Sequence, residues 1–359
     1  MLYLSSHQTN IGGLKMKKIV LSFMVIVLLS VMFACKEDPG YSGVYIGYSW
    51  AGESSGVLFE DSTQYIMSTM TLDKDGIIVD FEMDFKVKKN DVWMSRLDQT
   101  STVSIDYSVT PSQALVGETY TKGSSMFTIT TPEFMSFYAY GVSSDGVVAL
   151  AIADPVTRFL FETKLEAGFD YSKKISELHV SNALSVPTTR VSSYGLIKPT
   201  SWDNYATKNV FNVHAFSHVL TDTGVFEGIT QDSTVKQLLE ALGISFVSNQ
   251  PQEKAANYGY FGLGGWKGNY EAIADVLIGL NATELDSLID WNIERYALGI
   301  NENNQFGIDI QAGGTKTVQD SFDTIAGATV RMSRESTSFQ RALVAAGILS
   351  EDQVIIGRF

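Results

Sequence analysis

The chain has 359 residues, 45% of them apolar and only 18% charged, which permits a sizeable core and excludes a disordered chain or a coiled coil. Lys and Arg number 26 against 40 Asp and Glu, a net charge of −14, and a surface this acidic repels nucleic-acid backbones. The single cysteine excludes an internal disulfide and a cysteine-rich metal site.

Lys17 and Lys18 follow Met16 and lead into the apolar run 19–34, which ends at the only cysteine, Cys35. The run has 16 residues, short of the ~20 that a transmembrane helix needs. A charged start, a short apolar stretch and Ala34-Cys35 resemble a bacterial lipoprotein signal peptide over residues 16–35. The resemblance implies a lipidated Cys35 as the mature first residue and an extracytoplasmic, membrane-anchored body. Residues 1–15 then read as a start-site extension. An uncleaved anchor is the other reading of the same run. Removing residues 1–35 takes away three lysines and no acid, leaving a body with a net charge of −17.

Residues 36–165 read as a β-rich domain. Val44-Tyr45-Ile46 lies between glycines, and residues 65–72 end at the turn Asp73-Lys74-Asp75-Gly76. Phe81, Met83, Phe85 and Val87 alternate with Glu82, Asp84 and Lys86, the period of a half-buried strand. Residues 126–129, 137–140, 147–152 and 159–161 continue the series, with a turn at Ser143-Ser144-Asp145-Gly146. Residues 166–205, holding Val186-Pro187 and Lys198-Pro199, read as a connection.

Residues 206–359 alternate helices and strands, so the expected class is α+β. Ser233 is placed to cap a helix with Val235, Leu238, Leu239 and Leu242 on one face, stopped by Gly243. Residues 244–247 follow as a strand. Asn269 is placed to cap a helix ending at Gly279, Leu285, Leu288 and Ile289 indicate another short helix, and residues 338–346 form the last.

The most informative stretch is Asp323-Thr324-Ile325-Ala326-Gly327-Ala328-Thr329, followed by Val330-Arg331-Met332-Ser333. It resembles the FMN-binding domain family, found in the sodium-pumping NADH:quinone oxidoreductase, in the Rnf complex and in flavin-carrying bacterial lipoproteins. That family has an Asp-x-x-Ser-Gly-Ala-Thr element whose Thr is esterified by the FMN phosphate. Asp323, Gly327, Ala328 and Thr329 match it; Ala326 stands where Ser or Thr is usual, and Arg331 replaces a small hydroxyl residue. The resemblance implies Thr329 as the FMN acceptor, Asp323 as part of the signal read by an FMN transferase, and a C-terminal FMN-binding-like domain. The small residues independently fit a phosphate approach, and a helix beginning soon after Thr329 would add free N–H groups, with Arg331 or Arg334 adding charge. A helix-entry turn with tight packing explains the same residues without a ligand.

Tyr258-Gly259-Tyr260-Phe261-Gly262-Leu263-Gly264-Gly265-Trp266 fits either aromatic stacking on a flavin or a glycine-bent strand or loop filling the core. His214 and His218 share a helix face, but Ala215 stands where a zinc protease carries its Glu, and His179 has no evident partner. No metal is expected, and Asp286 and Asp290 read as solvated charge. The expected protein is a membrane-anchored flavoprotein that carries electrons between a membrane reductase and an extracytoplasmic acceptor, with no nucleic-acid partner and no acid–base catalyst. The alternative is a non-redox surface lipoprotein that binds a ligand or partner.

Overall fold

A computed structural model describes residues 40–116, 120–132, 137–153, 159–189, 201–212, 224–289, 332–357 and 359. The class is α+β, as expected: among the described residues there are three helices and four antiparallel sheets. No helix among them is long and apolar enough to cross a membrane. Cys35 and the rest of 1–39 lie outside the described residues.

The first sheet has the order β1 (Gly43–Trp50), β2 (Gln64–Leu72), β3 (Ile78–Lys89), β4 (Val92–Ser95). The expected turn joins β2 to β3: Asp73 Oδ1 accepts the amides of Asp75 and Ile77 at 2.9 Å, and Gly76 takes a left-handed φ of 84°. Period-two alternation sends Ile66, Met70, Phe81, Met83 and Phe85 to the inner face. Two helices from the far end of the chain cover that face, α2 (Gly265–Leu277) and α3 (Met332–Ala345). The first core therefore joins residues more than 180 positions apart.

The second sheet has the order β10 (Ser185–Thr189), β9 (Phe159–Leu165), β8 (Val148–Ala153), β7 (Phe137–Val142), β13 (Lys254–Tyr260). All six residues of β8 are buried because both sheet faces are covered. One face meets α1 (Val235–Ala241) through Leu150, Ile152, Phe161, Leu238 and Leu239. The other is lined by Ala139, Ala149, Ala151 and Ala153 and packs against a two-stranded ribbon, β5 (Thr102–Ile105) with β6 (Phe127–Thr130). β10 lies within the stretch read as a connection. Its proline, Pro187, is tolerated because β10 is an edge strand with a register shift between Ser185 and Thr188.

Helix boundaries differ from expectation in instructive ways. The cap of α1 is Thr234, one residue after Ser233, in a capping box with Gln237. Residues 244–247 yield only β11 (Phe246–Val247), paired with β12 (Gln250–Pro251) through Ser248 and Asn249, both at positive φ. Asn269 does not cap α2. The helix starts four residues earlier behind Gly264, at φ 95°, and Asn269 Nδ2 donates to the Gly265 carbonyl from inside it. No helix forms over 285–289: a 3-10 turn at Ala282–Glu284 gives way to extended chain at Leu285. Leu288 and Ile289 are buried there because Ser336 Oγ accepts the Leu288 amide and holds the segment against α3.

The last helix begins at Met332, six residues before the expected start. Its first half, Met332-Ser333-Arg334-Glu335-Ser336-Thr337-Ser338, has no apolar stripe, yet every residue in it is buried. Buried polar groups require partners, and neighbouring chain supplies them. Ser49 Oγ donates to the Arg334 carbonyl (2.8 Å), Ser68 and Ser338 hydroxyls pair at 2.7 Å, and Thr337 Oγ1 donates to the Ile355 carbonyl (2.8 Å). The helix also lies directly on β1 at Gly47, where a Cβ would collide with the Ser338 carbonyl and the Ala342 amide.

Candidate functional site

The first turn of α3 brings together the charged and aromatic groups of the first core. Arg334 is buried, and its guanidinium lies 4.8 Å from the Phe85 ring centroid, 5.1 Å from Trp266 and 5.4 Å from Phe359. Arg96, just beyond β4, lies 4.5 Å from the same Phe85 ring and 5.6 Å from Trp266. Phe85 and Trp266 meet edge-to-face at 5.0 Å. Two cations thus share two rings, an arrangement worth about 2 kcal/mol per contact where water is excluded.

A buried carboxylate pairs with one of them. Arg334 Nε donates to Glu335 Oε1 at 3.1 Å, and the Tyr270 hydroxyl donates to the same oxygen at 2.9 Å. Burial pushes the Glu335 carboxyl above its usual range, against the lowering effect of Arg334. Tyr270 is pushed well up, first by burial and then by the Glu335 charge. Glu335 Oε2 has no hydrogen-bond partner among the described residues.

A cavity of about 510 Å³ opens beside Tyr270, between α2 and strands β2 to β4. Its size falls within the range of small-molecule sites. Its lining sets Glu82, Asp84, Asp98 and Glu271 against Lys267. That lining disfavours a phosphate.

Of the residues named from sequence, Arg334 is in this cluster, held by rings and Glu335. Asp323, Gly327, Ala328, Thr329 and Arg331 lie outside the described residues, as do His214, His218, Asp290 and Cys35. Thr329 is three residues before Met332, the first described residue of α3. The glycine–aromatic run is a strand that turns into a helix: Phe261 and Trp266 are buried in the two cores. Tyr260 donates to the Gln99 carbonyl at 2.9 Å, and Tyr258 accepts the Ser101 amide at 3.1 Å. His179 sits in an exposed turn closed by Asn182. Sequence reasoning missed Arg96, Glu335 and Phe359, which are far apart in the chain and carry no motif.

No family model matches the chain, and no similar characterised protein or solved structure is found.

Proposed function

We propose that the protein is a membrane-anchored, extracytoplasmic flavoprotein that carries FMN on Thr329 for electron transfer, with lipid on Cys35 as its anchor. The observation that carries this reading is the position of the motif. Asp323 to Thr329 ends three residues before α3, whose first turn sets Arg334 on aromatic rings and pairs it with Glu335. Three peptide units reach at most about 11 Å, so the Cα of Thr329 stays within that span of the helix start. The free N–H groups of a helix start favour an anion there.

FMN, when bound, would supply one- and two-electron redox chemistry. The chain's own residues then have positioning and electrostatic roles. The buried polar half of α3 gives the attachment segment a rigid base. Arg334 adds positive charge at that base, and Glu335 with Tyr270 holds its guanidinium in one orientation. Arg331, Gly327 and Ala328 belong to the attachment segment, and Asp323 to the signal for an FMN transferase. Partners on this reading are that transferase, a membrane reductase and an extracytoplasmic acceptor.

The test is an intact mass of the full chain coexpressed with an FMN transferase and then denatured. An added FMN phosphoester mass that vanishes in Thr329→Ala is the expected result. An unmodified chain sinks the covalent assignment, and failure to bind added FMN sinks the flavoprotein reading in favour of a partner-binding lipoprotein.

A further inference from the structure

The outer face of the first sheet departs from the usual pattern, in which an uncovered sheet face is polar. Cross-strand pairing places residues of β1, β2 and β3 in rows on that face. One row runs Val44, Thr71, Asp80, and the next Ile46, Thr69, Glu82. The third runs Tyr48, Met67, Asp84, and the fourth Trp50, Tyr65, Lys86. Each passes from an apolar or aromatic residue on the edge strand, through an intermediate one, to a charge on β3. Beyond these charges, Trp93 of β4 returns to the face and packs on Tyr65 at 4.8 Å.

The loop between β1 and β2 extends the apolar side. Phe59 packs on Tyr48 at 5.3 Å, Trp50 at 5.6 Å and Tyr65 at 5.3 Å, and Trp50 Nε1 donates to the Val57 carbonyl at 2.7 Å. These contacts fix the loop so that its tip points outward. Val44 is 62% exposed, Ile46 43%, Leu58 58% and Phe59 39%. These exposed apolar residues, interrupted at Trp50 by the Arg341 guanidinium that pairs with Glu53 and Glu351, are costly in water and mark an interaction surface.

We propose that the β1 edge and the Val57–Phe59 loop dock on the lipid bilayer interface. The proposal rests on the lipid-anchor reading of Cys35. Gly43, the first residue of β1, is only eight positions after Cys35, so the Cα of the lipidated residue would lie within about 28 Å of this edge. Tyr and Trp among aliphatic residues match the chemistry of the interface, where rings with one polar end sit at headgroup depth. The acids of β3 lie two strands away, about 10 Å, so an edge-on contact leaves them in water. Glu60 and Asp61, next to Phe59, limit the depth to the headgroup level and disfavour an anionic surface. Zwitterionic lipid is therefore the matching partner.

The experiment uses the full chain as Leu58→Trp, and as Val247→Trp for an exposed apolar control in the second half, on phosphatidylcholine vesicles with or without brominated acyl chains. The docked face predicts that Leu58→Trp gains a component quenched at least about twofold by brominated lipid, while Val247→Trp matches the parent chain. Equal quenching of both variants overturns the proposal, as does an unquenched Leu58→Trp shielded from acrylamide, which would indicate a protein partner or second copy. Near-UV circular dichroism checks that both variants are folded. Intact mass of the same sample reads the lipid on Cys35 separately. If that mass is missing, the anchor reading fails, and flotation of the unlipidated chain with excess vesicles decides the face: flotation lost in Leu58→Ser supports docking, and no flotation overturns it.

Discussion

The two cores of this molecule are built by different means. The second buries a continuous apolar strand, β8, between α1 and the β5–β6 ribbon, and its one fully buried carboxylate among the described residues is Glu162. The first buries a helix whose leading half is almost entirely polar, held by hydroxyl bonds, one ion pair and guanidinium–ring contacts. Apolar burial is tolerant of small shifts, because the attraction is non-directional. A buried polar helix is not, because each bond depends on its neighbour's placement. The first core should therefore fail more abruptly under substitution.

The largest effect is expected at Gly47, where β1 touches the backbone of α3. Gly47→Val should cost more than about 4 kcal/mol, because backbone rather than a side chain must move. Limited proteolysis should find the α3 segment newly cleavable while β7–β9 stays protected. Full protection of α3 would show that the close approach is not needed.

Arg334→Met comes next. It fills similar volume but leaves Glu335 buried beside Tyr270 without its cation, at a cost of about 3–4 kcal/mol by urea denaturation at neutral pH. The Glu335 carboxyl would rise further, so the deficit should shrink as pH falls and the acid is neutralised. A deficit independent of pH would mean that ring packing, not charge balance, is what Arg334 provides.

Glu162 tests the second core. Burial pushes its carboxyl from 4.5 to about 7. Ser125 Oγ lies 2.5 Å from Glu162 Oε1 and also within 3.0 Å of the Phe127 carbonyl, and the Met126 amide donates to Oε2 at 3.0 Å. These two bonds to the carboxylate favour its charged form, and burial outweighs them. The folded state then binds the proton more tightly than the unfolded one. The contribution is complete below about pH 4.5 and is lost as pH rises to about 7, on the order of 3 kcal/mol. Glu162→Gln should flatten that part of the pH–stability curve; an unchanged slope would refute it. Glu335 adds a slope of the same sign, and it persists in that variant.

The smallest effect is expected for Tyr270→Phe, which removes one of two donors to Glu335 Oε1 and should cost about 1.5 kcal/mol in the same denaturation measurement. A larger loss would mean that Tyr270, rather than Arg334, holds Glu335 in place.

Much of the β architecture was legible because its signals are local. Alternation marked β3, and the Asp73–Gly76 turn marked the hairpin before it, since both depend on residues within a few positions. Legibility failed where partners are distant. Asn269 looked like a cap, yet left-handed glycines at 264 and 265 let α2 begin earlier. Leu288 and Ile289 looked helical, but they lie in a non-helical bend bonded to Ser336. For the candidate site, the sequence supplied Arg334, Trp266 and the motif, while Arg96, Glu335 and Phe359 carry no common signature.

The sequence by itself determined the α+β class, most strands of both sheets, the acidic charge and the motif that nominates Thr329. Tertiary structure alone decided that the polar stretch 332–338 is a buried helix, that β1 and α3 meet at Gly47, and that Arg334 and Arg96 share their rings. Periodicity reports which face of an element is apolar. It cannot report a burial satisfied by hydrogen bonds, because the partners that make a polar residue stable inside are set by the meeting of distant segments.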